Sequence, residues 1–158
     1  MKQEFKTVAL VGRYADMRVS EPMQRIASHL TKAGVDVVTL PDISDELDAR
    51  IIQQAELSAI TDLIVAVGGD GTMLHAATLT GDSDIPLLGV NRGRLGFLTD
   101  VSPAAMLESI DSILAGDYSR EARLRLQATL TSDDGGVRSA LALNDVVLQR
   151  FDTGRMLD

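Results

Sequence analysis

Short continuous apolar runs alternate along the front of the chain with stretches whose apolar residues recur every three to four positions. Lys6–Val11 (KTVALV), closed by Gly12, has the length and unbroken apolar character of a strand covered on both faces. Met23, Ile26, Ala27 and Leu30 then fall at i, i+3, i+4 and i+7, one face of a helix. Ser20 is placed to cap that helix, Pro22 suits its first turn, and Gly34 stands where it should stop. Val35–Leu40 reads as a second strand. In the polar, acidic stretch Pro41–Asp62, the spacing of Leu47, Ile51 and Ile52 suggests a short helix. Leu63–Val67 (LIVAV) is again a buried-strand run, followed by helical spacing over Met73–Leu79 through Met73, Ala76 and Ala77. Pro86–Val90 is a fourth strand. Ser102-Pro103 opens a further helix, with Met106, Ile110, Ile113 and Leu114 on one face and Gly116 as its stop.

Strands that are apolar throughout, alternating with amphipathic helices, predict an α/β fold: a parallel, Rossmann-like, three-layer sheet domain with right-handed crossovers. The pattern changes near Tyr118. Leu124, Leu126, Ala128 and Leu130 alternate with Arg123, Arg125, Gln127 and Thr129; Asp133-Asp134-Gly135-Gly136 is a turn signal, and Val137–Leu148 is strand-like again. This is an antiparallel hairpin with one apolar face, expected to be buried. So few strands make a poor core alone. The expected organisation is therefore an α/β domain over residues 1–118 and, over 119–158, the first strands of an incomplete, truncated β-rich domain.

Composition narrows the function classes. The chain has 158 residues and no cysteine, which excludes a disulfide framework, a Cys-bound metal and a thiol nucleophile. Net charge is −8, and no Lys/Arg-rich stripe is present to neutralise phosphates along a nucleic acid. No apolar run approaches the roughly 18 residues of a membrane span, and Met1–Phe5 lacks the apolar core of a signal peptide. A cytoplasmic protein without nucleic-acid or membrane partners is expected.

Three segments carry candidate chemistry. Gly68-Gly69-Asp70-Gly71-Thr72 joins a buried strand to a helix. The carboxyl ends of parallel strands are where open α/β sheets bind ligands. Glycines permit close backbone approach, and a helix N-terminus offers free N–H groups and about half a positive charge. Such a turn suits a phosphate and favours an ionised Asp70, able to hold Mg²⁺ or accept a proton; it is equally the shape of a tight strand-to-helix turn with an acidic cap. Neither a P-loop nor the dehydrogenase-type glycine fingerprint is present, so a nucleotide site would use another solution. The second segment, Gly89–Asp100 (GVNRGRLGFLTD), also follows a strand. Arg92 and Arg94 can fork onto phosphates, and Phe97 can wall an aromatic base or else dock back into the core. The third is Leu143-Asn144-Asp145-Val146-Val147. Its amide and carboxylate can read an adenine edge and a ribose diol, or mark a β-bulge. His29 is given no function, and His75 on the following helix either faces the site or is a packed or solvent-facing helix residue.

In order and spacing, GGDGT, NRGRLGFLTD and LNDVV together resemble the NAD kinase family, over essentially the whole chain as its N-terminal half. GGDGT alone is shared with related lipid kinases and resembles the phosphofructokinase motif; the other two segments make the resemblance specific. It implies transfer of a phosphoryl group from ATP, or in some members polyphosphate, to the 2′-hydroxyl of the adenosine ribose of NAD, giving NADP with the help of Mg²⁺. Asp70 would be the proton acceptor and, with Gly71, would line the NAD site. Phe97 would form an adenine-side wall. Asn144 and Asp145 match adenine and ribose contacts, with Glu in many members where Asp145 stands. His75 and Arg155 fall where relatives often contact nucleotide, and no residue is assigned as a metal ligand. Members continue into a β-rich domain with a second Gly/Thr/Ser-rich motif, which also mediates oligomer assembly. A homo-oligomer is thus expected of the intact protein, and little kinase activity of these residues alone. The competing readings are a lipid or sphingoid-base kinase sharing GGDGT, and a non-catalytic module that binds NAD or NADP.

Overall fold

The computed structural model describes residues 4–43, 46–93 and 96–147. The chain forms two compact units, Met1–Glu121 and Ala122–Asp158. In the first, β1 (Thr7–Gly12), α1 (Met17–Lys32), β2 (Asp36–Thr39), β3 (Arg50–Ile51), α2 (Gln54–Ile60), β4 (Leu63–Val67), α3 (Asp70–Leu79), β5 (Leu87–Val90) and α4 (Met106–Leu114) follow in order. The sheet order is β3-β2-β1-β4-β5, with every pair parallel. This is the expected Rossmann-like sheet.

Successive side chains on a strand point to opposite faces, and the central strands use both. Val8, Leu10, Val65 and Val67 pack against Met23, Ile26 and Leu30 of α1 and Met106 and Ile110 of α4. Ala9, Val11, Ile64 and Ala66 pack on the other face with Leu57 of α2 and Ala76 and Leu79 of α3. The result is the expected three layers. Each fully buried aliphatic side chain contributes about 1.5–3 kcal/mol to such a core. Gly12 sets the entry of α1: a Cβ there would lie 2.7 Å from Val19 Cγ1 and 2.8 Å from the Val67 carbonyl.

Several boundaries differ from expectation. Asp16, not Ser20, caps α1, its Oδ1 accepting the Arg18 N–H at 3.0 Å. Pro22 therefore sits beyond the first turn, inside the helix, where it cannot donate to the Arg18 carbonyl. Leu47, Ile51 and Ile52 form no helix; Arg50–Ile51 is an edge strand and α2 begins at Gln54. Ser102 does not start α4, but its Oγ accepts the Ala105 N–H in the turn before it. The glycine stops are as expected. Gly34 and Gly116 have φ of +78° and +85°. At each, the next N–H reaches back, Val35 to the Leu30 carbonyl at 3.0 Å and Asp117 to that of Ser112 at 2.8 Å, the Schellman pattern. His29, assigned no function, joins α1 to α4 through Asp111 Oδ1 at 2.6 Å.

The second unit contains the expected hairpin, β6 (Leu126–Thr131) and β7 (Val137–Ala142), antiparallel across a turn in which Gly135 takes φ of +82°. Its apolar face is not buried among the described residues: Leu124, Leu126 and Leu130 are exposed. The strand expected to reach Leu148 ends at Ala142, and Leu148 lies outside the described residues. No helix among the described residues is long and apolar enough to cross a membrane.

Candidate functional site

The chain turns from β4 into α3 within two residues. Gly68 is buried, and its N–H donates to the Val90 carbonyl at 2.8 Å. A Cβ on Gly68 would fall 2.1 Å from Thr72 Oγ1, so only glycine lets the helix begin this close to the strand. Gly69 is the N-cap and Asp70 the first helical residue, at the end of α3 where free N–H groups and the positive end of the dipole lie.

The glycine-rich loop leaves β5 and returns onto that same point. Asn91 is buried; its N–H donates to the Val101 carbonyl at 2.9 Å, and its Oδ1 accepts the Gly93 N–H at 2.8 Å, with Gly93 at φ of +102°. Arg94 and Leu95 lie outside the described residues. The returning backbone grips Asp70: the Phe97 N–H donates to Oδ2 at 3.1 Å and the Leu98 N–H to Oδ1 at 3.0 Å. Gly96 makes this possible, since a Cβ there would lie 2.3 Å from Asp70 Oδ1. The Phe97 ring does not dock in the core; it is 94% exposed.

A cavity of about 500 Å³ opens beyond the carboxyl ends of the strands. Gly12 of β1, Leu40 after β2 and Gly69 after β4 line it. It thus lies where the strand order reverses between β1 and β4, the usual ligand position in an open α/β sheet. Arg13, Arg92 and His75 bring cationic or ionisable nitrogens to its wall and Asp42 a carboxylate. Arg13 was missed in the sequence, although it immediately follows a strand's carboxyl end as Arg92 does.

Arg92 is tied back to α1, its Nη1 lying 3.0 Å from Asp16 Oδ2. Arg18 forks onto the same carboxylate through Nε at 3.1 Å and Nη2 at 2.9 Å. Hydrogen bonds from the Arg18 side chain, then from its backbone N–H, with Arg92 adding to them, hold the Asp16 carboxyl well below the usual carboxylate range. A folded pKa below the unfolded one stabilises above the unfolded value, about 3.9, and that contribution is lost as pH falls below it. Asp16→Ala should therefore melt below the wild type at neutral pH, with the gap closing in thermal melts taken at decreasing pH under about 4. A gap independent of pH would argue against the ionised cap.

The site residues expected from the sequence are placed as follows. Gly71 and His75 of α3 line the cavity, while the Asp70 carboxylate is engaged by the loop at 97–98. Asn144 and Asp145 are exposed, in the second unit, past the end of β7. Arg155 lies outside the described residues.

Residues 8–118 match a family model described as ATP-NAD kinase N-terminal domain. The NAD kinase of Azoarcus sp. (strain BH72) is 40% identical over 162 residues, covering 100% of this chain and 55% of the relative. That of Chromobacterium violaceum is 38% identical over 161 residues, with 100% and 55% covered. The chain thus spans about half the length of the curated relatives it matches. Among solved structures, yeast NADH kinase complexed with NADH superposes with a TM-score of 0.80 at 21% identity, over 90% of this chain and 48% of the other. At that identity, the likeness speaks for the fold.

Proposed function

Because the chain belongs to the NAD kinase family, we propose that the protein it comes from transfers a phosphoryl group from ATP, or polyphosphate, to the 2′-hydroxyl of the adenosine ribose of NAD, giving NADP. The observation that carries this reading is the Asp70 carboxylate, set at the N-terminus of α3 and fastened by two loop N–H groups. A sugar hydroxyl is a poor nucleophile until its proton has an acceptor. Each oxygen of an ionised carboxylate has about two acceptor positions, so each Asp70 oxygen keeps one beyond its loop bond. A positioned general base of this kind contributes typically about 10²–10⁴-fold.

The remaining effect in phosphoryl transfer is positioning and charge neutralisation. Arg13 and Arg92 at the cavity wall would meet the donor's phosphates through forked hydrogen bonds. Mg²⁺ generally needs only one or two carboxylates when phosphates supply its other oxygens. Asp42 would supply a carboxylate of that kind at the cavity wall. When bound, the ion would neutralise charge on the transferred group. Gly71, His75 and Phe97 would border the NAD, with Phe97 offering an open aromatic face to adenine. Asn144, Asp145 and Arg155 would add nucleotide contacts from a β-rich domain that begins with the hairpin, the α/β domain ending near residue 118. The intact protein is proposed to act in the cytoplasm as a homo-oligomer.

The test is NADP formation by the full-length protein supplied with NAD, Mg²⁺ and either ATP or polyphosphate. Sustained NADP production is expected. Transfer of label from ATP to a sphingoid base or other lipid, and none to NAD, would assign the site to the lipid kinases that share GGDGT. Nucleotide binding by calorimetry without any transfer would make it a sensing module.

A further inference from the structure

We propose that Thr99 is a positioning residue for Asp70, donating its hydroxyl to Oδ1 and leaving Oδ2 as the oxygen that takes the proton. The catalytic part of this inference rests on the reading above; the geometric part does not. Thr99 is fully buried, and its hydroxyl has no hydrogen-bond partner among the described residues. Burying an unpaired hydroxyl is unfavourable, which makes its neighbourhood informative. The point that a Cβ on Gly96 would occupy lies 2.3 Å from Asp70 Oδ1 and 2.9 Å from Thr99 Oγ1. The two oxygens therefore converge on one spot, one with an acceptor position to spare and the other with a proton to give. A rotation of the Thr99 side chain would complete the bond.

The surroundings fix which atom moves. Thr99 lies against Gly89 of β5, where a Cβ would meet its Cα and Cγ2 at 3.0 Å and the Leu98 carbonyl at 2.9 Å. On one side the Leu98 N–H is bonded to Asp70, and on the other the Val101 N–H donates to the Gly89 carbonyl at 3.2 Å. The backbone is clamped, so the hydroxyl adjusts. Oδ1 then receives two donors, Leu98 N–H and Thr99 O–H, whereas Oδ2 receives only Phe97 N–H. The carboxylate becomes asymmetric, with Oδ2 the oxygen open to a ribose hydroxyl.

Thr99→Val keeps the shape and removes the hydroxyl; Thr99→Ser keeps the hydroxyl. In the full-length protein, Thr99→Val is expected to lower kcat about tenfold, with KM for NAD little changed, the mark of an interaction made only in the transition state. Thr99→Ser should recover most of the loss, and Thr99→Ala, a second hydroxyl-free variant, should share it. Amide hydrogen exchange at Phe97 and Leu98 should quicken in the Val and Ala variants and stay near the wild-type rate in the Ser variant. Wild-type kcat together with wild-type exchange in Thr99→Val would overturn the proposal. Should the wild type make no NADP, the kinase reading alone would fall, and exchange would still decide: quickened in Thr99→Val it supports the clamp, unchanged it refutes it.

Discussion

Asp70→Asn in the full-length protein should lower turnover by about 10²–10⁴-fold, the usual contribution of a positioned general base, with NAD binding largely kept. The amide has nearly the same shape and cannot take the proton. The substitution also turns one acceptor oxygen into an NH₂ donor, so only one of the two loop N–H groups at Phe97 and Leu98 keeps its partner. Steady-state kinetics read the loss of turnover, and a calorimetric titration reads the retained NAD binding. Near-normal turnover would remove Asp70 as the base.

Gly96→Ala should be nearly as damaging although it removes no functional group. Its Cβ would lie 2.3 Å from Asp70 Oδ1 and 2.9 Å from Thr99 Oγ1, inside contact distance of both. Thr99 is held against β5 by Gly89, so the strain has to be relieved by moving the loop or the carboxylate. Overpacking of this kind costs about 1–3 kcal/mol, and displacing a catalytic group by about 1 Å can cost 10²-fold in rate. A parallel drop in melting temperature and in kcat is expected. A Gly96→Ala protein that turns over like the wild type would mean that contact between the loop and Asp70 is not required for the reaction.

The sheet was legible because its strands are buried on both faces, and five consecutive buried residues such as Leu63–Val67 admit few other readings. Gly34 and Gly116 were legible for a similar reason: a left-handed C′ position selects glycine. The errors came where something other than apolar period sets the structure. The start of α1 is fixed by Asp16 and two arginines, and Met17, its first residue, is exposed and contributes nothing to the apolar face. Ser20 looked like a cap only because it precedes that face. Ile51 and Ile52 mimicked helical spacing with Leu47, yet Ile51 lies exposed in a two-residue edge strand and Ile52 is buried just past its end.

For the site, the position of GGDGT beyond a strand and the glycine content of the second loop could be read directly. That the two segments meet could not, since the bonds from Phe97 and Leu98 to Asp70 cross 27 and 28 residues of chain. Thr99 was invisible for the same reason, becoming notable only through the burial and unpaired state of its hydroxyl; Arg13 did carry a signal, its place just past the carboxyl end of β1.

The most direct test of the central claim, that Asp70 accepts the ribose proton, is a crystal structure of the full-length protein with NAD bound. The adenosine-ribose 2′-oxygen should lie about 2.6–3.2 Å from an Asp70 carboxylate oxygen, the reach of a general base, with the Phe97 and Leu98 bonds still in place. A 2′-oxygen bonded to another acceptor, with Asp70 beyond one water's span from it, would contradict the account.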